Sequence, residues 1–307
     1  MLSERSKILL VLGLPQCGTG AVKHALESCG VPCRNVETLA KAQQDFLTGV
    51  GNGWDSPLEL PERCLQNDAA KQFVSLLIKT LETQSADQCG LACVHGMERI
   101  LPLWHASLEA QNQHIQQLLV VRHPLDVVEQ FKRTEGWDRD RGLLVWLQNT
   151  LAMERYSRNF SRVVVDGEQP SWNLESTLNL VENTLQLTLP NRNHKTLIKL
   201  ESESKSSPPV YYLGRATIEG QSAGSLLLTM ALQLYDWLIS EGEECKIQRH
   251  LPEIIRQQLN LAEALMGRTL NEISLQNQTL NNKLLNIENR RSVRFSNWLR
   301  RQTVGAA

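Results

Sequence analysis

The stretch that decides the fold runs from residue 8 to residue 20 and reads ILLVLGLPQCGTG. Its first part, Ile8–Leu12, is a short run of branched apolar residues, which is typical of a buried parallel strand. Gly13 ends that run, and apolar residues then recur with helical spacing at 21, 22, 25, 26 and 29. Gly30 follows in the position of a helix C-cap. The sequence therefore predicts a strand, a glycine-rich loop and a helix, which together form the first half of a βαβ unit.

The same alternation repeats along the chain. Further short, largely apolar runs lie at Gly90–Val94, Leu118–Arg122 and Arg162–Asp166. Amphipathic patterns predict helices near 68–82, 124–134, 141–157, 173–187 and 225–240. Short strands that alternate with helices favour an α/β fold with a mainly parallel central sheet. Residues 201–225 are rich in Ser, Gly and Pro, and predict a long loop with one edge strand at Val210–Leu213.

Composition excludes several classes of protein. The chain has 307 residues, of which 41% are hydrophobic, and a formal net charge of −1. It is therefore neither disordered as a whole nor a basic nucleic-acid binder, and we expect no nucleic-acid partner. The seven cysteines include no C-x-x-C pair, which suits a reducing cytoplasm, and we expect no metal. The apolar run at 8–14 is far shorter than the ~20 residues of a spanning helix, so we expect a soluble, cytoplasmic protein without a transmembrane segment.

The C-terminal part has a different pattern. Apolar residues and one asparagine are spaced alternately by four and three positions, at Met266, Leu270, Ile273, Asn277, Leu280, Leu284 and Ile287. Such a seam predicts a coiled coil and a homo-oligomer; the alternative is a helix packed on its own domain. A basic tail follows at 290–301. We therefore expect an α/β domain at 1–245 and a C-terminal helical extension at 246–307.

The loop itself carries the first chemical signal. A G-x-x-x-x-G spacing from Gly13 to Gly18 exposes backbone N–H groups at the start of a helix, where the helix dipole favours a phosphate or sulfate. The Thr19 hydroxyl adds a hydrogen-bond donor. An ordinary P-loop reads Gly-Lys-Ser/Thr at this place, whereas the chain reads Gly18-Thr19-Gly20, so that Gly20 stands at the position of the Ser/Thr. The missing lysine disfavours a nucleotide-hydrolysing enzyme or a small-molecule kinase. The alternative interpretation is a tight turn that needs glycine for backbone reasons alone.

Arg122 gives the second signal. It lies at the carboxyl end of a predicted strand, where ligands bind in open α/β sheets. There a guanidinium can hold a phosphate with two hydrogen bonds. The alternative is a surface salt bridge with Asp126 or Glu129.

Two segments carry a resemblance to a known family. VLGLPQCGTGAVKHALESCGV at 11–31 and LLVVRHPLDVVEQFKRTEGW at 118–137 resemble the two donor-binding segments of PAPS-dependent sulfotransferases of the bacterial branch. GNGWDSPLELP at 51–61, ILPLW at 100–104 and LLVWLQN at 143–149 also agree, so that the resemblance spans about 7–240. It implies a P-loop-like three-layer fold, PAPS (3′-phosphoadenosine-5′-phosphosulfate) as co-substrate, and a small-molecule or carbohydrate acceptor with a hydroxyl or amine.

The resemblance also implies the site residues. The donor's phosphates would be held by Gly13, Gln16, Cys17, Gly18, Thr19, Gly20, Arg122 and Gln130. Several of these depart from the family pattern: Gln16 stands where a catalytic cation is common, Cys17 where serine is common, and Gln130 where a serine is expected. A Lys-Asp-Pro-Arg segment is replaced by residues 93–96, CVHG. Cys17 is expected to be merely a small loop residue; the alternative is a thiol whose pKa is lowered by the helix N-terminus.

The catalytic base is expected to be His95, which follows a predicted strand and titrates near neutral pH, with Glu98 and His105 as alternatives. The loss of one preorganised donor costs about 10²–10³ in rate. Two hypotheses therefore stand. The chain is an active sulfotransferase, with Lys205 or Arg215 supplying the missing charge, or a non-catalytic degenerate relative that serves as a nucleotide-binding or interaction module through its C-terminal helix.

Overall fold

The structure is a computed structural model of the 307-residue chain. It describes residues 6–33, 37–82, 89–167, 174–206, 225–240 and 250–265, together with single positions between 269 and 287.

A four-stranded parallel sheet forms the centre of the fold. Its strands are β1 (Lys7–Leu12), β2 (Gly90–Ala92), β3 (His114–Val121) and β4 (Ser161–Asp166). They lie in the order β2-β1-β3-β4, and every neighbouring pair is parallel. β1 is buried along its length after Lys7, which explains its unbroken apolar sequence. The prediction of an α/β fold with a mainly parallel sheet is confirmed.

Helices pack on both sides of this sheet. In chain order they are α1 (Thr19–Ser28), α2 (Glu37–Gly49), α3 (Asp68–Glu82), α4 (Leu101–Ala110), α5 (Pro124–Thr134), α6 (Arg139–Ser157), α7 (Leu174–Leu185), α8 (His194–Ser206) and α9 (Leu226–Ile239). Single turns of 3-10 helix lie at Pro15–Cys17, Glu62–Leu65 and Met97–Ile100. The helices predicted at 68–82 and 124–134 have the predicted bounds.

Local signals fix where the main helices begin and end. Pro124 stands in the first turn of α5, where its missing N–H is no loss. The side chain of Asp138 caps α6 by accepting from the Arg141 N–H at 3.0 Å. Gly30 terminates α1 as predicted, just beyond the last helical residues, and it has a φ of +96°. The Gly30 N–H donates to the Glu27 carbonyl oxygen, and the Val31 N–H donates to the Leu26 carbonyl oxygen. This pair of bonds is a Schellman motif.

The prediction of a loop at 201–225 is wrong in its first part, because α8 continues to Ser206. The Asn193 side chain accepts from the Thr196 N–H at 3.0 Å and so caps this helix. Because α8 is well capped at its start, it extends into a polar sequence whose composition alone predicts a loop. The edge strand predicted at Val210–Leu213 lies outside the described residues.

Chain contacts divide the protein into two units, Met1–Arg256 and Gln257–Ala307. Residues 251–265 are helical. Leu280, Leu284 and Ile287 are helical and about half exposed, whereas the other four seam positions and the basic tail lie outside the described residues. The coiled coil and the domain boundary at 245 stay predictions. No helix in the described ranges is long and apolar enough to cross a membrane.

Candidate functional site

The sheet order brings the loop and Arg122 to the same place. The chain goes from β1 to β2 on one side, then returns to β3 on the other side of β1, and goes on to β4. The connections that leave β1 and β3 therefore run in opposite directions, and the crevice outside their carboxyl ends is where such sheets bind ligands. Leu12 is in register with Leu119, so Arg122 stands three residues beyond the strand pair, level with the loop.

The loop has a fixed backbone. Gly13 and Gly18 have φ values of +137° and +91°, which favour glycine. A Cβ on Gly13 would lie 2.3 Å from the Val120 carbonyl oxygen. The 3-10 turn closes with bonds from Cys17 N–H to the Leu14 carbonyl and from Gly18 N–H to the Pro15 carbonyl, at 2.9 and 3.1 Å. The interpretation that these glycines serve the backbone is therefore correct for Gly13 and Gly18.

Backbone need does not exclude the anion site. Gly18 is the N-cap residue of α1, and no side chain caps this helix. The Ala21 and Val22 N–H groups donate to the Gly18 carbonyl oxygen, whereas the earliest N–H groups of a helix have no carbonyl within it to bond to. Gly20 in the first turn is exposed, while Thr19 beside it is buried. The loop thus presents an uncapped helix N-terminus at the crevice.

Gly167 supports the loop from β4. Its N–H donates to the Val121 carbonyl at 2.6 Å, directly after the strand. A Cβ at this position would lie 1.7 Å from the Cys17 carbonyl oxygen, so the two backbones are in direct contact. Gly167 was not a candidate from sequence, although a glycine immediately after an apolar strand at a sheet's carboxyl edge is a signal of close backbone approach.

Arg122 is buried against the loop. Its guanidinium Nη1 donates to the Gln16 carbonyl oxygen at 3.2 Å, and its Nε lies 3.8 Å from Asp126 Oδ2. The Nη2 group is also buried and has no hydrogen-bond acceptor among the residues described. The expected salt bridge with Asp126 is therefore present, but it is buried at the loop rather than on the surface. Glu129, the other expected partner, pairs with Arg133 instead.

Gln16 and Cys17 turn into the protein. The Gln16 side chain is buried, and its amide oxygen has no hydrogen-bond partner within the described ranges. Burial raises the pKa of the Cys17 thiol to about 12, although the nearby Arg122 acts in the opposite direction. The alternative of a lowered pKa is therefore wrong, and Cys17 is a small buried residue of the loop. Gln130 lies six residues after the start of α5, about 9 Å along the helix from Pro124 by helical rise.

Glu98 lies in the 3-10 turn that follows β2, and its side chain contacts the loop. Its Oε1 accepts the Gly13 N–H at 3.1 Å, and the residue is 1% exposed. The second oxygen, Oε2, is buried without a hydrogen-bond partner among the described residues. Desolvation raises the pKa of Glu98 to about 7. Of the three bases considered from sequence, this one contacts the loop.

His95 lies just after β2, as predicted, and its side chain is exposed. Its ring lies 4.4 Å from the Trp54 ring, and its carbonyl oxygen accepts from Gln43 Nε2 at 2.6 Å. Desolvation by the surrounding protein lowers the pKa of His95 to about 4, against the opposing effect of Asp55. The imidazole is therefore neutral at pH 7, as a base must be, but it is weakly basic.

The Trp54–Asp55 segment beside His95 is held by Arg99. Arg99 Nε donates to Asn149 Oδ1 at 3.1 Å and Nη1 donates to the Leu58 carbonyl oxygen at 2.8 Å. Asn149 in turn donates to the Trp54 carbonyl oxygen at 2.9 Å. Neither Arg99 nor Asn149 was a candidate from sequence, because only the fold brings them together.

His105 lies away from the loop. It is buried on α4, with its ring 4.0 Å from Phe160 and its Nε2 2.7 Å from Gln117 Nε2. Burial lowers the pKa of His105 to about 4. The structure gives this residue a place in the core rather than at the site.

This burial predicts acid sensitivity. Between pH 4 and pH 6.5 the unfolded chain takes up a proton on His105, whereas the folded protein keeps this imidazole neutral. The stability that His105 provides is therefore fully present above pH 6.5 and is lost as the pH falls through 4. The loss from this residue reaches about 3 kcal/mol, since each pKa unit between 6.5 and about 4 is worth about 1.4 kcal/mol. The free energy of unfolding, measured with urea between pH 7 and pH 4, should depend less on pH in His105→Gln than in the unaltered protein. Exposed His114→Gln is the control, and an equal effect of both variants would contradict the prediction.

Similarity to known proteins is found among solved structures. No protein-family model matches the chain, and no curated protein matches it. Among the described residues there is no group of three or more side chains arranged to hold a metal ion. Among solved structures, the chain is similar to the sulfotransferase domain from the Synechococcus PCC 7002 olefin synthase, with a TM-score of 0.40 and 14% identity. The match covers 71% of this chain and 94% of that one, and it assigns no role to any residue here.

Proposed function

We propose that this protein is a sulfotransferase-like transferase that binds the phosphates of PAPS at the loop from Gly13 to Gly20. The observation that carries the proposal is the buried guanidinium of Arg122, which touches the Gln16 carbonyl and keeps a buried Nη2 without an acceptor among the described residues. This cation stands beside the uncapped N-terminus of α1. Backbone N–H groups together with one arginine form an anion site even in a chain whose net charge is −1.

The reaction follows from the donor's chemistry. The sulfur–oxygen bond to the bridging oxygen of the phosphosulfate breaks, and a new bond forms between sulfur and the acceptor's hydroxyl oxygen or amine nitrogen. The acceptor's proton passes to a base, for which His95 is the candidate, and adenosine 3′,5′-bisphosphate leaves. Loop N–H groups and Arg122 would stabilise the charge that grows on the leaving nucleotide. The proposed acceptor is a small molecule or a carbohydrate with a hydroxyl or amine, and the cytoplasm is the proposed location.

A second candidate is a non-catalytic binding module. Two observations favour it: Gln16 supplies no charge where a cation is common, and the Glu98 carboxyl group contacts the Gly13 N–H in the same loop. In this case the protein keeps the nucleotide site and acts on partners through the helix that begins at 251, with oligomers formed through the C-terminal seam.

Calorimetric titration with adenosine 3′,5′-bisphosphate tests nucleotide binding. We expect saturable binding, and a ligand at 100 times its Kd should add about 2.7 kcal/mol to the free energy of unfolding. Arg122→Lys should raise the Kd at least about tenfold, because an ammonium group cannot form the planar pair of bonds. Arg133→Lys on the exposed side of α5 is the matched control. No binding at millimolar ligand, or equal Kd values for both variants, would overturn the proposal.

Turnover separates the two candidates. Incubation with PAPS and a panel of hydroxyl and amine acceptors should release adenosine 3′,5′-bisphosphate only if the protein is an enzyme. Gln16→Lys restores the missing cation, and we expect a gain of about 10²–10³ in rate if some activity is already present. Binding without release in both proteins would favour the non-catalytic module.

A further inference from the structure

The strongest unexplained feature of the site is the Glu98 carboxyl group. It is 1% exposed, backbone N–H groups of Gly13 and of Glu98 itself are its hydrogen-bond donors, and Oε2 has no partner among the described residues. The backbone enforces this position. Glu98 lies in the 3-10 turn that follows Gly96, whose φ is +80° and where a Cβ would lie 2.9 Å from Trp54 Cβ. The carboxyl group is therefore built into the loop site.

Among the residues that the structure describes, no cation is paired directly with Glu98, and Arg99 favours its ionised form only by Coulomb attraction, without a salt bridge. On its own turn, Arg99 is committed to Asn149 and to the Leu58 carbonyl. From the far side of the loop, Arg122 donates to the Gln16 carbonyl and lies 3.8 Å from Asp126, and it forms no salt bridge with Glu98. No salt bridge joins Glu98 to a cation in the described part of the chain, even though both arginines are close in sequence or space.

The other titratable groups near this turn carry no compensating charge either. Cys17 in the loop and Cys93 after β2 are thiols whose pKa values burial raises to about 12. On α4, His105 faces Phe160 and Gln117. On α6, Glu154 pairs with Arg158 and Arg162.

A bound anion changes this balance. An ionised carboxylate with one oxygen left without a partner is costly when buried, and burial raises the pKa of Glu98 to about 7 against the opposing effect of its backbone hydrogen bonds. A phosphate or sulfate on the same loop adds a second negative charge, and two like charges in one buried site cannot both stay ionised at low cost. The neutral acid removes the repulsion, and its Oε2–H becomes a hydrogen-bond donor.

We propose that Glu98 is a titrating residue of the loop site: it takes up one proton when the loop binds a phosphate- or sulfate-bearing ligand, so that anion binding is linked to pH. The inference rests on the proposed function for the identity of the ligand, but not for the presence of an anion site. In the ionised form, Glu98 holds the Gly13 N–H and repels the ligand. In the protonated form it shares the site with the ligand.

The test compares Kd values for adenosine 3′,5′-bisphosphate between pH 6 and pH 8.5. For the unaltered protein we expect Kd to rise by up to about tenfold per pH unit above pH 7, the limit for linkage to one proton. Glu98→Gln keeps an oxygen for the Gly13 N–H but cannot ionise, so its Kd should change only through the ligand's own phosphate, which titrates near pH 6. Exposed Glu62→Gln is the matched control and should keep the steep profile.

Proton uptake on ligand binding is a second measurement, and it would not depend on Glu98 if this residue had only a structural role. Calorimetry in buffers of different ionisation enthalpy should show uptake of up to one proton at pH 8 by the unaltered protein, and none by Glu98→Gln. Parallel pH profiles for the two proteins, or no difference in uptake, would overturn the inference. Unfolding by urea at pH 6 checks that the variant is folded, and Glu98→Ala, which also cannot ionise, should reproduce the flat profile.

The two proposals can fail separately. Nucleotide binding with parallel profiles overturns the role of Glu98 and leaves the proposed function standing. If nucleotide does not bind but inorganic sulfate binds with the expected pH dependence, lost in Glu98→Gln, then the nucleotide proposal fails and the role of Glu98 stands. If neither ligand binds, both are overturned.

Discussion

Gly167→Ala is expected to lower the free energy of unfolding by at least about 3 kcal/mol, at the upper end of overpacking penalties. The added Cβ would lie 1.7 Å from the Cys17 carbonyl oxygen and 3.1 Å from a Val120 methyl group. The first of these atoms is backbone and cannot move away by a change of rotamer. Either β4 or the loop must shift, and urea unfolding measures the cost.

A second readout shows where the strain goes. If the loop is displaced, Cys17 loses its burial, and its alkylation should become faster when it is followed by mass spectrometry of the peptide. Gly49→Ala on α2 is the matched control, because a Cβ there meets nothing within 4 Å and alanine favours a helix by up to about 1 kcal/mol. A stability of Gly167→Ala within about 0.5 kcal/mol of the unaltered protein would contradict the close contact.

Arg122→Met should destabilise the protein by about 3–5 kcal/mol, the cost of removing one partner from a buried ion pair. Both side chains of the Arg122–Asp126 pair are 4% exposed, and the change withdraws the guanidinium from a buried carboxylate. It also removes the donor to the Gln16 carbonyl oxygen. Urea unfolding at pH 7 is the measurement.

A second change separates charge from packing. In the Arg122→Met background, Asp126→Asn removes the remaining negative charge and should recover part of the lost stability. Arg133→Met breaks the exposed pair with Glu129 and should cost no more than about 1 kcal/mol. Equal losses for Arg122→Met and Arg133→Met, or no recovery in the double variant, would contradict the role of the buried pair.

The sheet and the positions of Gly13 and Arg122 could be predicted from the sequence because both depend on local patterns. A branched apolar run ended by glycine predicts a strand and its loop, and Pro124 marks the start of α5. The parallel arrangement then places the carboxyl ends of β1 and β3 at one edge. No contact between distant residues has to be known for these steps.

Side-chain environment could not be predicted in the same way. The sequence favoured His95 as base because it follows a strand, but the structure turns it to Trp54 and brings Glu98 to the loop instead. Glu98 is three positions after His95, and its orientation depends on the positive φ of Gly96 between them. Arg99 and Gly167 act across 40 residues or more, through contacts that only the folded chain contains.

The direct backbone contact between Gly167 and Cys17 also bears on the thermodynamics of any ligand. A loop held by Val120 on one side and by Gly167 on the other is ordered before an anion arrives. Binding then carries little of the conformational-entropy penalty that flexible loops bring, which amounts to about 0.5–1.5 kcal/mol for each side chain immobilised. The association rate should accordingly depend on ionic strength and on the protonation of Glu98, and hardly at all on a slow rearrangement of the loop.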